Sequence, residues 1–167
     1  MDDVQWLDDE EREAWLALIA LITRLPSALD TQLQRDSGMT HFEYSVMAQL
    51  SMADGGRLQL AVLARRSNAS LSRLSHVVTK LERLGWVVRD AIPESRASDA
   101  VLTEAGREKM ADAAPGHVAA VRSLVFDGLS PAQTRQLAKV SRLVTTQLDI
   151  GIAADAADGA RNRTSIT

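Results

Sequence analysis

Within one short stretch, SLSRLSHVVTK, the chain gathers Ser70, Ser72, Arg73, Ser75, His76, Thr79 and Lys80. Hydroxyl groups of this kind donate to phosphate oxygens and to base edges, and they are short enough to allow close approach. The two cations can neutralise phosphates, and an arginine can instead pair with guanine through two parallel bonds. His76 can meet either kind of target. The same residue types could in principle serve catalysis, but the serines sit on a basic segment with no base and orienter beside them. The three histidines, at 41, 76 and 117, fall on different segments without metal-ligand spacing. There is no glycine-rich phosphate loop, no nucleophile elbow and no cysteine. The sequence therefore points away from an enzyme, and no catalytic residue, metal site or cofactor is expected. The bland reading, in which Ser70 only caps a helix and His76 is only solvated, competes most strongly at those two positions.

The elements that must carry these residues follow from spacing. Leu71, Leu74, Val78, Leu81 and Leu84 recur every three or four residues, so they line one face of a helix that stops at Gly85. The polar residues occupy the other face. QLAVLARRSN, just before it, reads as a shorter helix closed by a tight turn at Asn68 to Ser70, and two such helices make a helix-turn-helix. WVVRD and AVL read as strands around the polar loop AIPESRAS, which holds Pro93, Glu94 and Arg96; a hairpin in this place is a wing. Leu58 is expected in a very short strand. Upstream, Thr40 and Glu43 have capping-box spacing at the start of MTHFEYSVMAQL, with Met39 placed to staple onto Tyr44.

Longer helices flank this centre. One starts near Asp8 and contains AWLALIALI, apolar on every side, so one of its faces needs a second surface; Pro26 is expected to kink or break it. Another is capped by Thr103 and carries Val118, Val121, Leu124 and Val125, with an interruption expected at Pro115 and Gly116. A third opens with Ser130, Pro131 and Gln133, and its stripe is Leu137, Val140, Leu143, Val144 and Leu148. Residues 151–167 show no apolar period and read as a flexible tail.

The net charge of −3 hides an uneven distribution. Residues 1–56 hold 3 basic and 11 acidic side chains, residues 57–110 hold 10 and 6, and residues 111–167 hold 6 and 5. Positive charge thus gathers where the hydroxyl-rich helix lies, which suits a phosphate-bearing partner. The acidic start is unlike a targeting peptide, and the longest apolar run, Ala14 to Ile22, is nine residues. A cytoplasmic protein without membrane contact is expected.

SLSRLSHVVTKLERLGWVVRD and PESRASDAVLTEAG together resemble the MarR family of winged-helix transcriptional regulators, over about residues 8–150. The matching features are Leu81-Glu82-Arg83-Leu84-Gly85 at the end of the recognition helix, Arg89 at the end of a strand, Glu94-Ser95-Arg96 in the wing, and Leu102-Thr103-Glu104-Ala105-Gly106 opening a long helix. The family usually has Asp where Glu94 stands. The resemblance implies a mainly α fold with a small β-hairpin wing: a winged helix-turn-helix domain over residues 37–110 and interlocking dimerisation helices over 1–36 and 111–150. It implies a homodimer gripping a palindromic duplex operator, with Arg96 in the minor groove and Glu94 and Arg89 supporting the wing. It further implies a repressor released by a small aromatic or phenolic effector. Trp15, His41, Phe42 and Tyr44 read first as core and capping residues, and under the resemblance they are the candidates to line an effector pocket. The competing expectation is a winged helix used for protein contacts alone.

Overall fold

The computed structural model describes residues 4–91 and 97–164, with side chains to residue 154. The elements run α1 (Asp9–Ser37), α2 (His41–Ser51), β1 (Arg57–Gln59), α3 (Leu60–Arg66), α4 (Leu71–Arg83), β2 (Val87–Ala91), β3 (Ser98–Leu102), α5 (Glu104–Val121) and α6 (Pro131–Thr164), with a π-helical turn at Arg122–Phe126. Contacts divide the chain into one unit up to Val121 and a second from Arg122 onward.

Local chemistry starts and stops these helices. Asp8 accepts from the Glu11 N–H while the Glu11 carboxylate takes the Asp8 N–H, and Thr40 and Glu43 repeat that reciprocal cap at α2. Ser130 and Gln133 do the same ahead of α6. Helix α4 ends in a turn where the Trp86 N–H reaches the Leu81 carbonyl and the Gly85 N–H reaches that of Glu82. Gly85 stands at φ 75°, a conformation that glycine adopts without strain.

The strands form an antiparallel sheet in the order β1-β3-β2, with Arg57 opposite Val101 and Val87 opposite Leu102. Helices α3 and α4 followed by the β2–β3 hairpin are a winged helix-turn-helix. Its core is aliphatic: Val46, Met47 and Leu50 of α2, Leu63 of α3, Leu74, Val78 and Leu81 of α4, Val87 of β2, and Ala100 and Leu102 of β3. Burying each larger side chain stabilises the fold by roughly 1.5–3 kcal/mol. A smaller cluster joins Leu33 of α1, Met39 and Ala113 of α5, with Tyr44 and Trp86 packed against both clusters. Tyr44 thus packs against the cluster that holds Met39, its expected staple partner. Helix α5 can sit this close because residue 106 is glycine: a Cβ there would lie 2.1 Å from the Trp86 carbonyl oxygen. Thr103 ties the same corner, donating to the Gly85 carbonyl at 2.7 Å and accepting from the Gly106 N–H at 3.0 Å.

Three expectations need correction, and one helix extends further than its apolar stripe. Helix α1 runs unbroken through Pro26. The proline removes one main-chain bond, at Ile22, and on this exposed stretch solvent can take its place. Helix α5 likewise continues through Pro115 and Gly116, and the irregular turn comes later, at Arg122–Phe126. Helical backbone persists to Thr164, well past residue 150. The segment is rich in alanine and lacks proline, so intrinsic propensity extends a helix that no apolar stripe demands. Leu71 leaves the stripe of α4: at the first position of the helix it overhangs the core and is 55% exposed.

Helix α1 is long and apolar enough by length and composition to cross a membrane, with a best window of mean hydropathy 1.2 that is 6% buried. In α6, no side chain up to residue 154 is buried.

Candidate nucleic-acid interface

Helix α4 presents its polar face from a fixed seat. Ser70 is the N-cap, accepting from the Arg73 N–H at 3.2 Å, and its hydroxyl lies 3.1 Å from that of Ser72. Ser72, Arg73 and His76 are exposed. His76 has no partner among the described residues. The Arg73 guanidinium rests 4.2 Å above the centre of the Phe42 ring, which holds the side chain on the α2 side while leaving its charge at the surface.

Two ion pairs pin the helix to different neighbours. Arg89 of β2 pairs with Glu82, whose other carboxylate oxygen accepts the Arg89 N–H at 3.1 Å. The same guanidinium donates to the Ser75 carbonyl at 2.9 Å and to the Ser75 and Thr79 hydroxyls at 3.1 Å. Thr79 in turn donates to the Ser75 carbonyl at 2.9 Å. Ser75 and Thr79, expected as DNA contacts, are therefore engaged by Arg89. On the α2 side, Lys80 donates to Glu43 at 2.6 Å. Lys80, expected at a phosphate, has a carboxylate partner inside the protein.

Other guanidinium groups remain. Arg65 and Arg66 at the end of α3 and Arg83 at the end of α4 are exposed and have no partner among the described residues. Arg57 does not join them, since it pairs with Asp90 and, at 3.7 Å, with Asp99 across the sheet. The surface around α4 thus offers Arg65, Arg66, Arg73 and Arg83 beside hydroxyls and an imidazole, on a rigid support. Such a surface fits a polyanion.

The fold and sequence have close counterparts. Sco3205, a MarR family transcriptional regulator from Streptomyces coelicolor solved in complex with DNA, is 42% identical, superposes with a TM-score of 0.81, and is matched over 87% of this chain and 91% of its own. The chain belongs to the MarR family of transcriptional regulators. AbsC, another MarR family regulator from Streptomyces coelicolor, is 35% identical with a TM-score of 0.80, over 87% of this chain and 98% of that one. The uncharacterized HTH-type transcriptional regulator YkoM of Bacillus subtilis is 29% identical over 134 residues, which is 78% of this chain and 85% of YkoM. No family model matches the sequence.

In this MarR family chain, the residues expected around an effector separate into groups. His41 and Tyr44 come together around His117 of α5, with ring centres 6.0 Å and 4.3 Å from the His117 imidazole. Burial, and then the neighbouring His41, hold the His117 pKa below the usual histidine range, while burial pushes the Tyr44 phenol up. His117 Nδ1 and Gln32 Oε1 are buried without a hydrogen-bond partner, although Gln32 Nε2 donates to Asp36 at 3.0 Å. Asp30 of α1 takes the His41 N–H at 2.9 Å. Phe42 faces the other way, under Arg73. Trp15 is 51% exposed and lies fifteen residues before Asp30, about 22 Å along the helix, so the chain does not bring it to the His117 group. Glu94 and Arg96 lie outside the described residues.

Sequence spacing missed Arg65, Arg66, Glu43 and His117. The adjacent arginines at the mouth of the helix-turn-helix were a readable signal. Glu43 was legible only as a cap, and nothing local marked His117.

Proposed function

We propose that this MarR family regulator binds duplex DNA as a homodimer, with α4 entering the major groove of each half-site. The exposed, hydroxyl-rich and cationic face of α4 carries this reading, because Arg89 and Glu43 engage its margins while Ser72, Arg73 and His76 stay exposed. Ser70, Ser72, Arg73 and His76 make the approach to bases and phosphates. Arg65, Arg66 and Arg83 contact backbone phosphates, and Arg96 in the wing reaches a neighbouring minor groove. Residues 1–36 and 111–150 supply the dimer surface, which gives the apolar faces of α1 and α6 a partner chain and not a lipid one. A palindromic operator then needs half-sites about one helical turn apart. The protein acts in the cytoplasm as a repressor and has no enzymatic step.

A small aromatic or phenolic effector releases it by binding at the His41–Tyr44–His117 group, where Gln32 and His117 hold unspent hydrogen-bonding capacity. The ligand must favour the non-binding state of the dimer to do so.

Selection of duplexes from a random pool by the purified chain, followed by affinity measurements over a salt series, tests the reading. A palindromic consensus with a steep salt dependence is expected. Arg73→Ala should flatten the slope of log affinity against log salt by about two for a dimer if Arg73 neutralises a phosphate in each half-site. Salt-independent affinity, or no enrichment of any sequence, would sink the proposal and leave a protein-contact role for the winged helix.

A further inference from the structure

The first turn of α2 sends two side chains to the recognition helix. Phe42 supports Arg73, and Glu43 holds Lys80. The Glu43 side chain is only 5% exposed. Its Oε2 accepts the Thr40 N–H at 2.9 Å, and its Oε1 accepts from Lys80 Nζ at 2.6 Å. A capping bond satisfies one oxygen but leaves a buried negative charge without a counter-ion, which is costly. Lys80 supplies that charge. Its ammonium is drawn to the α2 side of α4, while Arg89 holds Ser75 and Glu82 from β2. The same turn of α2 begins at His41, whose N–H is held by Asp30 of α1. Three helices are therefore referenced to one turn.

A helix held from one neighbour can still roll. Side-chain tips stand about 6 Å from a helix axis, so about 10° of roll moves them by about 1 Å. That is enough to spoil a hydrogen bond to a base edge. The second tie matters for this reason.

We propose that Glu43 is a positioning residue for DNA recognition: by holding Lys80 it sets the roll of α4, and Lys80 serves recognition through Glu43 and not by neutralising a phosphate. The inference rests on α4 being the DNA-reading helix, as proposed above.

The test uses the full chain as wild type, Glu43→Gln, Lys80→Met, the double variant and Lys80→Arg. Each is measured on the selected duplex and on a scrambled one across a salt series. Glutamine keeps an oxygen for the Thr40 cap and removes only the charge. Each single neutral variant should lower the ratio of selected to scrambled affinity on the order of tenfold, and the double variant no further than either single. Lys80→Arg should restore the ratio. The slope of log affinity against log salt should stay that of the wild type in every variant. A slope reduced by about two in Lys80→Met would overturn the proposal, because it marks a phosphate contact in each half-site. Additive losses, or a Glu43→Gln protein with the wild-type ratio, would overturn it as well. Should Glu43→Gln fail to fold, the half-exposed Lys80 decides through its Met and Arg variants and the salt slope. A wild type without preference for any duplex would remove the DNA reading itself, and this inference with it; the other failures remove the inference alone.

Discussion

Leu50, Leu63, Leu74, Val78 and Leu81 in the winged unit have no solvent exposure, whereas Leu137, Val140, Leu143, Val144 and Leu148 on α6 all face solvent. Both sets are wholly aliphatic, and Leu74, Val78 and Leu81 recur along α4 at helical intervals as the α6 residues do along theirs. They differ in closure. In the winged unit three helices and a sheet turn their stripes toward one another, so the burial is complete within one chain. The stripe on α6 has no such neighbours in its own unit. A regular apolar stripe thus promises a packing surface without saying whether the same molecule supplies the other half. Exposed stripes of this size are unusual on a soluble monomer.

The contrast is most sharply tested by adding a single methyl group to each region. Gly106→Ala should destabilise the winged unit by about 3 kcal/mol or more, since the new Cβ would meet main-chain oxygen that no flexible side chain can yield. In α6, Gly151 has nothing within 4 Å, and Gly151→Ala should instead stabilise by about 0.5–1 kcal/mol through helix propensity. Urea denaturation of both variants checks this, and similar losses in the two would dissolve the contrast.

Next in size, Leu143→Asp should weaken self-association by on the order of 2 kcal/mol while leaving the winged unit folded. Sedimentation equilibrium should show a dimer for wild type and monomer for the variant at the same concentration, and circular dichroism should retain its helical signal. Loss of folding together with association would mean that α6 also serves its own chain.

Within the winged unit, Arg89→Ala should cost about 1–2 kcal/mol of stability and lower discrimination between DNA sequences. It removes a cation from Glu82 and the donors to Ser75 and Thr79. Arg89→Lys should recover little, because one ammonium cannot repeat the planar fork. Discrimination that survives Arg89→Ala would show that core packing alone seats α4.

The smallest effect concerns pH. The pKa of His117 is lowered in the folded chain by burial and by His41, so the unfolded chain binds its proton more readily. The stability linked to this group is complete above the unfolded value of about 6.5 and is lost as pH falls through it toward the lower folded value. His117→Phe should flatten the fall in thermal stability below about pH 6.5. An unchanged pH profile would assign that slope to other groups.

What could be read in the sequence was local. The stripe of α4, the reciprocal cap at Thr40 and Glu43 and the glycine stop at Gly85 all depend on residues within four positions of one another. Which charges are spoken for was not local. Lys80 meets a carboxylate 37 positions away, and Arg89 reaches back 14 positions to Ser75. Spacing placed Lys80, Ser75 and Thr79 on the polar face, but it cannot tell which of them a charge from a distant segment engages. Trp15 shows the same limit, because a type suited to an aromatic pocket says nothing about which end of a long helix approaches the other candidates. Pro26 does not break α1 for another reason: a breaker in the sequence is only a cost, and an exposed helix can absorb it.

Arg89 spends its donors on groups that are indifferent to what α4 displays outward: a main-chain carbonyl, two hydroxyls and Glu82. None of these belongs to Ser72, Arg73 or His76. The seat and the reading surface are therefore separable in an evolutionary sense. Under the proposed function, substitutions at those three outward positions would alter which operator is recognised without touching the bonds that Arg89 makes. A fold arranged in this way allows duplicated copies of one regulator to drift toward different genes while inheriting the same support.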